Sequence, residues 1–192
     1  MVSSTDRRTH RTILLAMFIA IIAAMTFVPY TGFIAYGGIA ITTLHVPVII
    51  AIIKLGLRDG VIVATSFGTL GMLRALTSAP TPFVIPFMNP LISIAPRLLM
   101  GIGTGLAAIW LLKLIGTKNR TPYYAVIAFI GTSLNTIFVL TALVLFGGGT
   151  IGEALATIIG VVISLNWTIE VVLAIIVVPA VCRALDRANL PA

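Results

Sequence analysis

Long apolar runs, separated by short loops that hold most of the charge, set the pattern of this chain. Six of them approach the ~20 residues that a membrane-spanning helix needs. They lie near 12–28 ("TILLAMFIAIIAAMTFV", ended by Pro29), 39–56 ("IAITTLHVPVIIAIIKLG", with Pro47 inside), 60–77 ("GVIVATSFGTLGMLRALT"), 92–115, 122–146 and 156–182. The second and third are short and rich in Gly and Thr, and the third is the least hydrophobic. The pattern predicts an all-α integral membrane protein, a six-transmembrane-helix bundle that forms one domain over 1–192.

Charge placement orients the bundle. With both termini cytoplasmic (a basic N-terminal segment at 1–11 and a C-terminal one at 183–192), the inner segments hold Arg7, Arg8 and Arg11, then Lys54 and Arg58, then Lys113, Lys118 and Arg120, then Arg183 and Arg187. That is ten of the twelve basic residues, while the outer loops near 29–38, 78–91 and 147–155 hold none. Arg74 and Arg97 sit near the outer ends of the third and fourth runs. Miscounting one run would scramble this alternation. A cleaved signal peptide has a core of ~7–15 apolar residues. The first run is longer and ends in Phe-Val-Pro-Tyr, so it reads as a retained span.

Composition narrows the class. The 192 residues are 59% hydrophobic and 9% charged, against about 25% charged in a soluble domain. The net charge of +7 is scattered through loops without a basic-aromatic stripe, which argues against nucleic acid. The single cysteine, Cys182, excludes an intrachain disulfide and a multi-cysteine metal site. "GIGTG" at Gly101–Gly105 lies inside an apolar helix, where small residues let helices approach closely. No G-x-x-x-x-G-K-[ST] loop is present, so uphill transport would draw its ATP chemistry from another chain. His10 and His45 are far apart in the sequence, with no metal-ligand spacing and no Ser/His/Asp grouping. No catalytic or metal site is expected, and the chain does not read as an enzyme.

Polar residues inside the apolar runs are the candidate chemistry. Arg97 opens the fourth run just after Pro96. Thr132, Ser133, Asn135 and Thr136 lie in "GTSLNTI" of the fifth, and Ser164, Asn166, Thr168 and Glu170 in "SLNWTIE" of the sixth. Asn166 and Glu170 share a helical face, as do Thr132 and Asn135. At ~1.5 Å per residue, Arg97 lies close to the outer surface. Asn135 and Asn166 fall near the midplane, with Glu170 one turn deeper. The set can line a cavity open to the outside, because ionisable and amide groups in membranes mark sites and pathways. Interhelical hydrogen bonding is the competing role for Ser133, Thr136 and Ser164, and an Arg97–Glu170 salt bridge would be structural. The uncharged, aromatic outer loops suit a lid over a small ligand, with Tyr30, Tyr36, Phe83 and Phe87 as walls. For an anionic ligand Arg97 is the natural counter-ion.

Several stretches resemble the S components of energy-coupling factor (ECF) vitamin transporters, small six-helix membrane proteins. "LAMFIAIIAAM" spaces Ala16, Ala20 and Ala24 like the family's A-x-x-x-A surface on the first helix. "ITTLHVPVIIAIIKLGLRDGVIVATSFG" (41–68) resembles a stretch common in these proteins, and "APRLLMGIGTGL" (95–106) resembles the start of their fourth helix. Through "FVPYTGFI", "ITTLHVPVIIA", "LGLRDG" and "GTSLNTI" the likeness is greatest to pantothenate-specific members. The resemblance implies capture of the vitamin from outside. It implies docking through Ala16, Ala20 and Ala24 onto a transmembrane T subunit coupled to two ATPase subunits, and inward delivery by toppling. It places Arg97, Asn135 and Asn166 in the vitamin site; Thr132 and Glu170, from their shared helical faces, and the aromatic Tyr30, Tyr36 and Phe87 complete the expected substrate site, with ATP hydrolysed by the partners and no cofactor in this chain. A bacterial cell membrane is the expected location. The same architecture for riboflavin or another vitamin, a stand-alone secondary transporter or channel, and an intramembrane lipid enzyme are the alternatives. The last would need acidic or histidine clusters, of which Glu170 alone is too little.

Overall fold

The structure, a computed structural model, describes residues 4–36, 39–81, 84–115, 120–147 and 165–188. Helix α1 (Ser4–Phe27) begins ahead of its apolar run. The run expected as a second span at 39–56 divides in two. Ile39–Thr42 forms strand β2, paired antiparallel with β1 (Phe33–Tyr36), with Phe33 opposite Thr42 and Tyr36 opposite Ile39. Only His45–Leu55 is helical, as α2. At ~1.5 Å per residue its 11 residues rise ~16 Å, about half the hydrocarbon thickness.

The fold is therefore helical with one small hairpin, not wholly α. Among the described residues five helical segments, not six, are long and apolar enough to cross a membrane: Thr9–Phe27, Leu57–Thr77, Pro90–Leu114, Arg120–Phe146 and Trp167–Arg187. The physical reason lies in what α2 touches. His45 through Ile52 are all buried, because α2 is packed against α1, α3, α5, α6 and the last helix. A helix apolar on every side can be a core helix as readily as a lipid-facing one, and hydropathy does not separate the two.

Gly56 makes the break between α2 and α3 (Leu57–Thr77). Its backbone sits at φ 85° and ψ 179°, a region open essentially to glycine alone. After α3 come a 3-10 turn (Ile85–Met88) and the short helix α4 (Pro90–Ser93). Asn89 caps α4 by accepting from the Leu91 N–H at 3.0 Å, and Pro90 stands at its first turn. Then follow α5 (Ala95–Ile115), α6 (Arg120–Phe146) and α7 (Trp167–Arg187). A Cβ at Gly101 would lie 2.6 Å from that of Ala64, and one at Gly105 would strike Leu57. These two glycines let α5 close onto α3. Residues 156–164 of the expected sixth run, with Ser164, lie outside the described residues.

One end of the bundle gathers charge. Arg11 of α1 grips Asp59 of α3 through Nε and through Nη2, the latter 2.8 Å from Oδ1. Asp186 near the end of α7 accepts from Lys54 of α2 and from the Tyr124 hydroxyl of α6 at 2.6 Å, with Arg120 at 3.9 Å. These are residues that the charge alternation assigns to one side. The hairpin, the 85–93 segment, Arg74 and Arg97 occupy the opposite end, where the Arg74 guanidinium stacks 4.1 Å above the Phe33 ring.

Candidate ligand-binding site

The site is built at the hairpin end from faces of α2, α5, α6 and α7. On α5, Arg97 is buried, 8% exposed. One Nη1 proton goes to the Ile92 carbonyl at 2.7 Å. The guanidinium lies between two aromatic faces, 5.2 Å from the Phe67 ring of α3 and 5.5 Å from that of Phe87. Cation–π contacts of this kind hold a guanidinium without consuming its in-plane donors, and the buried Nε has no hydrogen-bond partner. Gly68 makes the room, since a Cβ there would lie 3.4 Å from that of Arg97.

Glu170 of α7 is also buried. Its Oε1 accepts from the Thr42 backbone N–H at 2.7 Å, tying α7 to the hairpin. Among the described residues no ion pair joins Glu170 to Arg97. Both remain able to meet a ligand.

Thr132, Asn135 and Asn166 are buried. The Thr132 hydroxyl and the Asn135 side-chain carbonyl have no partner. Trp167 sets the level of α7 against α6 through its indole N–H, 3.3 Å from the Ser133 hydroxyl, and an edge contact with Phe129. Ser133 thus takes the interhelical role that competed for it.

Two side chains that the sequence reading left aside join this set. His45, the first residue of α2, is fully buried with both ring nitrogens lacking a partner in hydrogen-bond geometry, and the Thr42 backbone is beside it. Thr104 of α5 is likewise fully buried with an unpartnered hydroxyl. The available signal for His45 was its place as the one ionisable group early in the second run. Thr104 was hidden inside "GIGTG", which does serve helix packing.

The aromatic walls divide. Phe87 stands against Arg97. Tyr30 is 78% exposed at a positive φ of 63° and is not part of the buried set. Phe83 and the side chain of Tyr36 lie outside the described residues. Ala16, Ala20 and Ala24 are all exposed on α1, so they do not serve packing within the bundle. Beside them an apolar groove of about 370 Å³ runs between α1, α2 and α7, lined by Met17, Ile21, Pro47, Ile50, Leu173 and Val177 among others.

Among the described residues, a buried cation with a free donor, a buried carboxylate, one orphaned amide carbonyl and two orphaned hydroxyls are groups suited to holding a polar ligand. No group of three or more His, Cys, Asp or Glu side chains that could hold a metal comes together among the described residues. Comparisons with known proteins agree with a binding role. The chain is 30% identical to the pantothenic acid transporter PanT of Lactococcus lactis subsp. cremoris (strain MG1363) over 92% of this chain and 93% of that one. It is 27% identical to the pantothenate transporter PanT of Leuconostoc mesenteroides subsp. mesenteroides, covering 94% of each. Its fold is similar to the crystal structure of the S component for biotin from an ECF-type ABC transporter, with a TM-score of 0.61, 15% identity and 95% of both chains covered. The sequence pattern of the family described as "ECF transporter, substrate-specific component" matches residues 10–182. With five apolar helices of spanning length among the described residues, this is a multi-pass membrane protein and not an enzyme: the chain belongs to the substrate-specific (S) components of ECF transporters.

Proposed function

We propose that this chain is the pantothenate-capturing S component of a bacterial ECF importer, with both termini cytoplasmic and the site opening outward. The observation that carries the reading is the similarity, over nearly the whole chain, to two pantothenate transporters. The site chemistry supports it. Pantothenate has a carboxylate at one end, an amide in the middle and two hydroxyls at the other end. Arg97 supplies the counter-ion, and a charge-assisted hydrogen bond to a buried carboxylate is the strongest contact such a ligand can make. Asn135 and Asn166 take the amide and hydroxyl groups, with Thr132 and Glu170 beside them and Phe87 as a wall. Riboflavin has no carboxylate and leaves Arg97 without a purpose.

Energy comes from outside the chain. The exposed row of Ala16, Ala20 and Ala24, bordering the apolar groove, offers a smooth surface for a helix of a transmembrane T subunit. Two ATPase subunits attached to that partner hydrolyse ATP, and toppling of the S component carries the site inward. Equilibrium binding of labelled pantothenate to the purified protein tests the capture step. The expected result is tight binding in the intact protein and its loss in Arg97→Ala. Wild-type-like affinity in that variant would remove the counter-ion role. A flavin or a thiazole, instead of pantothenate, co-purifying with the protein would overturn the choice of vitamin.

A further inference from the structure

We infer that Thr104 and Thr132 form the floor of the site and bind the hydroxyl end of the ligand, fixing it carboxylate-outward. The inference rests on the pantothenate reading above and concerns how that molecule lies in the site. It starts from a contrast among helical threonines. Thr26, Thr65, Thr69, Thr77 and Thr141 each donate to the carbonyl four residues back, at 2.7–3.0 Å. That bond is available to a helical threonine by side-chain rotation alone. Thr104 and Thr132 are 0% exposed and need a partner more than any of these, yet neither hydroxyl has one. Buried polar groups are nearly always paired, so two orphans in one bundle indicate a partner that comes from elsewhere.

They lie at one level of the bundle. A Cβ on Gly131, the residue before Thr132, would sit 3.2 Å from Thr104 Cγ2 and 2.8 Å from Ile49 Cδ1. The two threonines therefore share one level of the bundle, closed by the close approach of α2, α5 and α6. Thr104 follows Arg97 by seven residues, two helical turns, which puts it on nearly the same face of α5 and ~10.5 Å deeper. The Tyr123 hydroxyl donates to the Ala108 carbonyl, so α6 starts beside the end of α5 and runs back along it. Asn135 thus lies one turn nearer Arg97 than Thr132 does. From the outer end inward the polar groups read cation, amide, hydroxyls. Pantothenate reads carboxylate, amide, hydroxyls, and eight bonds at ~1.2 Å each put its terminal oxygen ~10 Å from the carboxyl carbon.

The test uses two ligands, pantothenate and its 4-deoxy analogue, in which the terminal hydroxymethyl is a methyl. Each is titrated against the purified full-length protein, and the melting temperature of the ligand-free protein is recorded. The wild type should prefer pantothenate. Thr104→Val and Thr132→Val should each weaken pantothenate about tenfold, and the double variant should no longer separate the two ligands. Thr104→Ser should keep the preference. Because valine removes an unsatisfied hydroxyl, the ligand-free melting temperature should stay level or rise. Selectivity retained in the double variant overturns the inference alone, as does a fall in melting temperature with affinity unchanged, the mark of a structural hydroxyl. A wild type that fails to bind pantothenate overturns the parent reading as well.

Discussion

The two ends of the bundle differ in how completely they pair their polar groups. At the charged end Asp186 accepts from Lys54 and Tyr124 with Arg120 nearby, and Asp59 is gripped by Arg11. At the hairpin end the Nε of Arg97, the hydroxyls of Thr104 and Thr132 and the Asn135 carbonyl are buried without partners. The same chain can plainly satisfy its polar atoms, because it does so at one end. A satisfied network holds helices in place, whereas an unsatisfied one carries a standing cost that a ligand can relieve. The difference separates an end of paired polar groups from an end with buried unpaired ones more sharply than charge does, since both ends contain arginine.

Substitutions at the two ends should accordingly break different things. Arg97→Ala is expected to have the largest effect, a loss of pantothenate affinity of about a hundredfold, with the fold retained as judged by helical circular dichroism. Arg97→Lys should recover part of the affinity, because a point charge replaces the fork. Next comes Ala20→Trp on the exposed face of α1. It should lower cellular uptake about tenfold, on the scale of a lost interface contact, and leave binding by the purified protein unchanged. Affected binding would move that face from docking to the site. The valine substitutions at Thr104 and Thr132 follow, with affinity falling while stability does not. Asp186→Asn should have the smallest effect, a destabilisation of about 1 kcal/mol or less because the network is partly exposed. Thermal melting should register it while pantothenate affinity stays at the wild-type value. If Asp186→Asn weakened binding as much as Arg97→Ala, the division between the ends would collapse.

Some of this was legible before any coordinates. "APRLLMGIGTGL" marked both the buried arginine and the close helix contact, and Gly101 and Gly105 do pack against α3. Arg11, Lys54 and Arg120, grouped by loop charge, pair with Asp59 and Asp186 where helix ends meet. The second run was misjudged because "IAIT" is as apolar as a helix of equal length, and short apolar runs do not reveal their period. The Gly37-Gly38 pair between two stretches of aromatic and β-branched residues was the usable hairpin signal. His45 and Thr104 were passed over for another reason. Residue type does not tell whether a hydroxyl turns back to its own helix, as Thr65 does, or is left for a partner.

Sequence alone therefore determined the solvent of this protein, the number of apolar runs, the grouping of its charges and the family. All of these depend on composition and on order along the chain. Only the tertiary structure decided that α2 is a buried core helix, that the hairpin reaches Glu170, and which polar atoms are left unpaired. Those are properties of neighbours distant in sequence. The helices must pack before a buried atom either has a partner or lacks one.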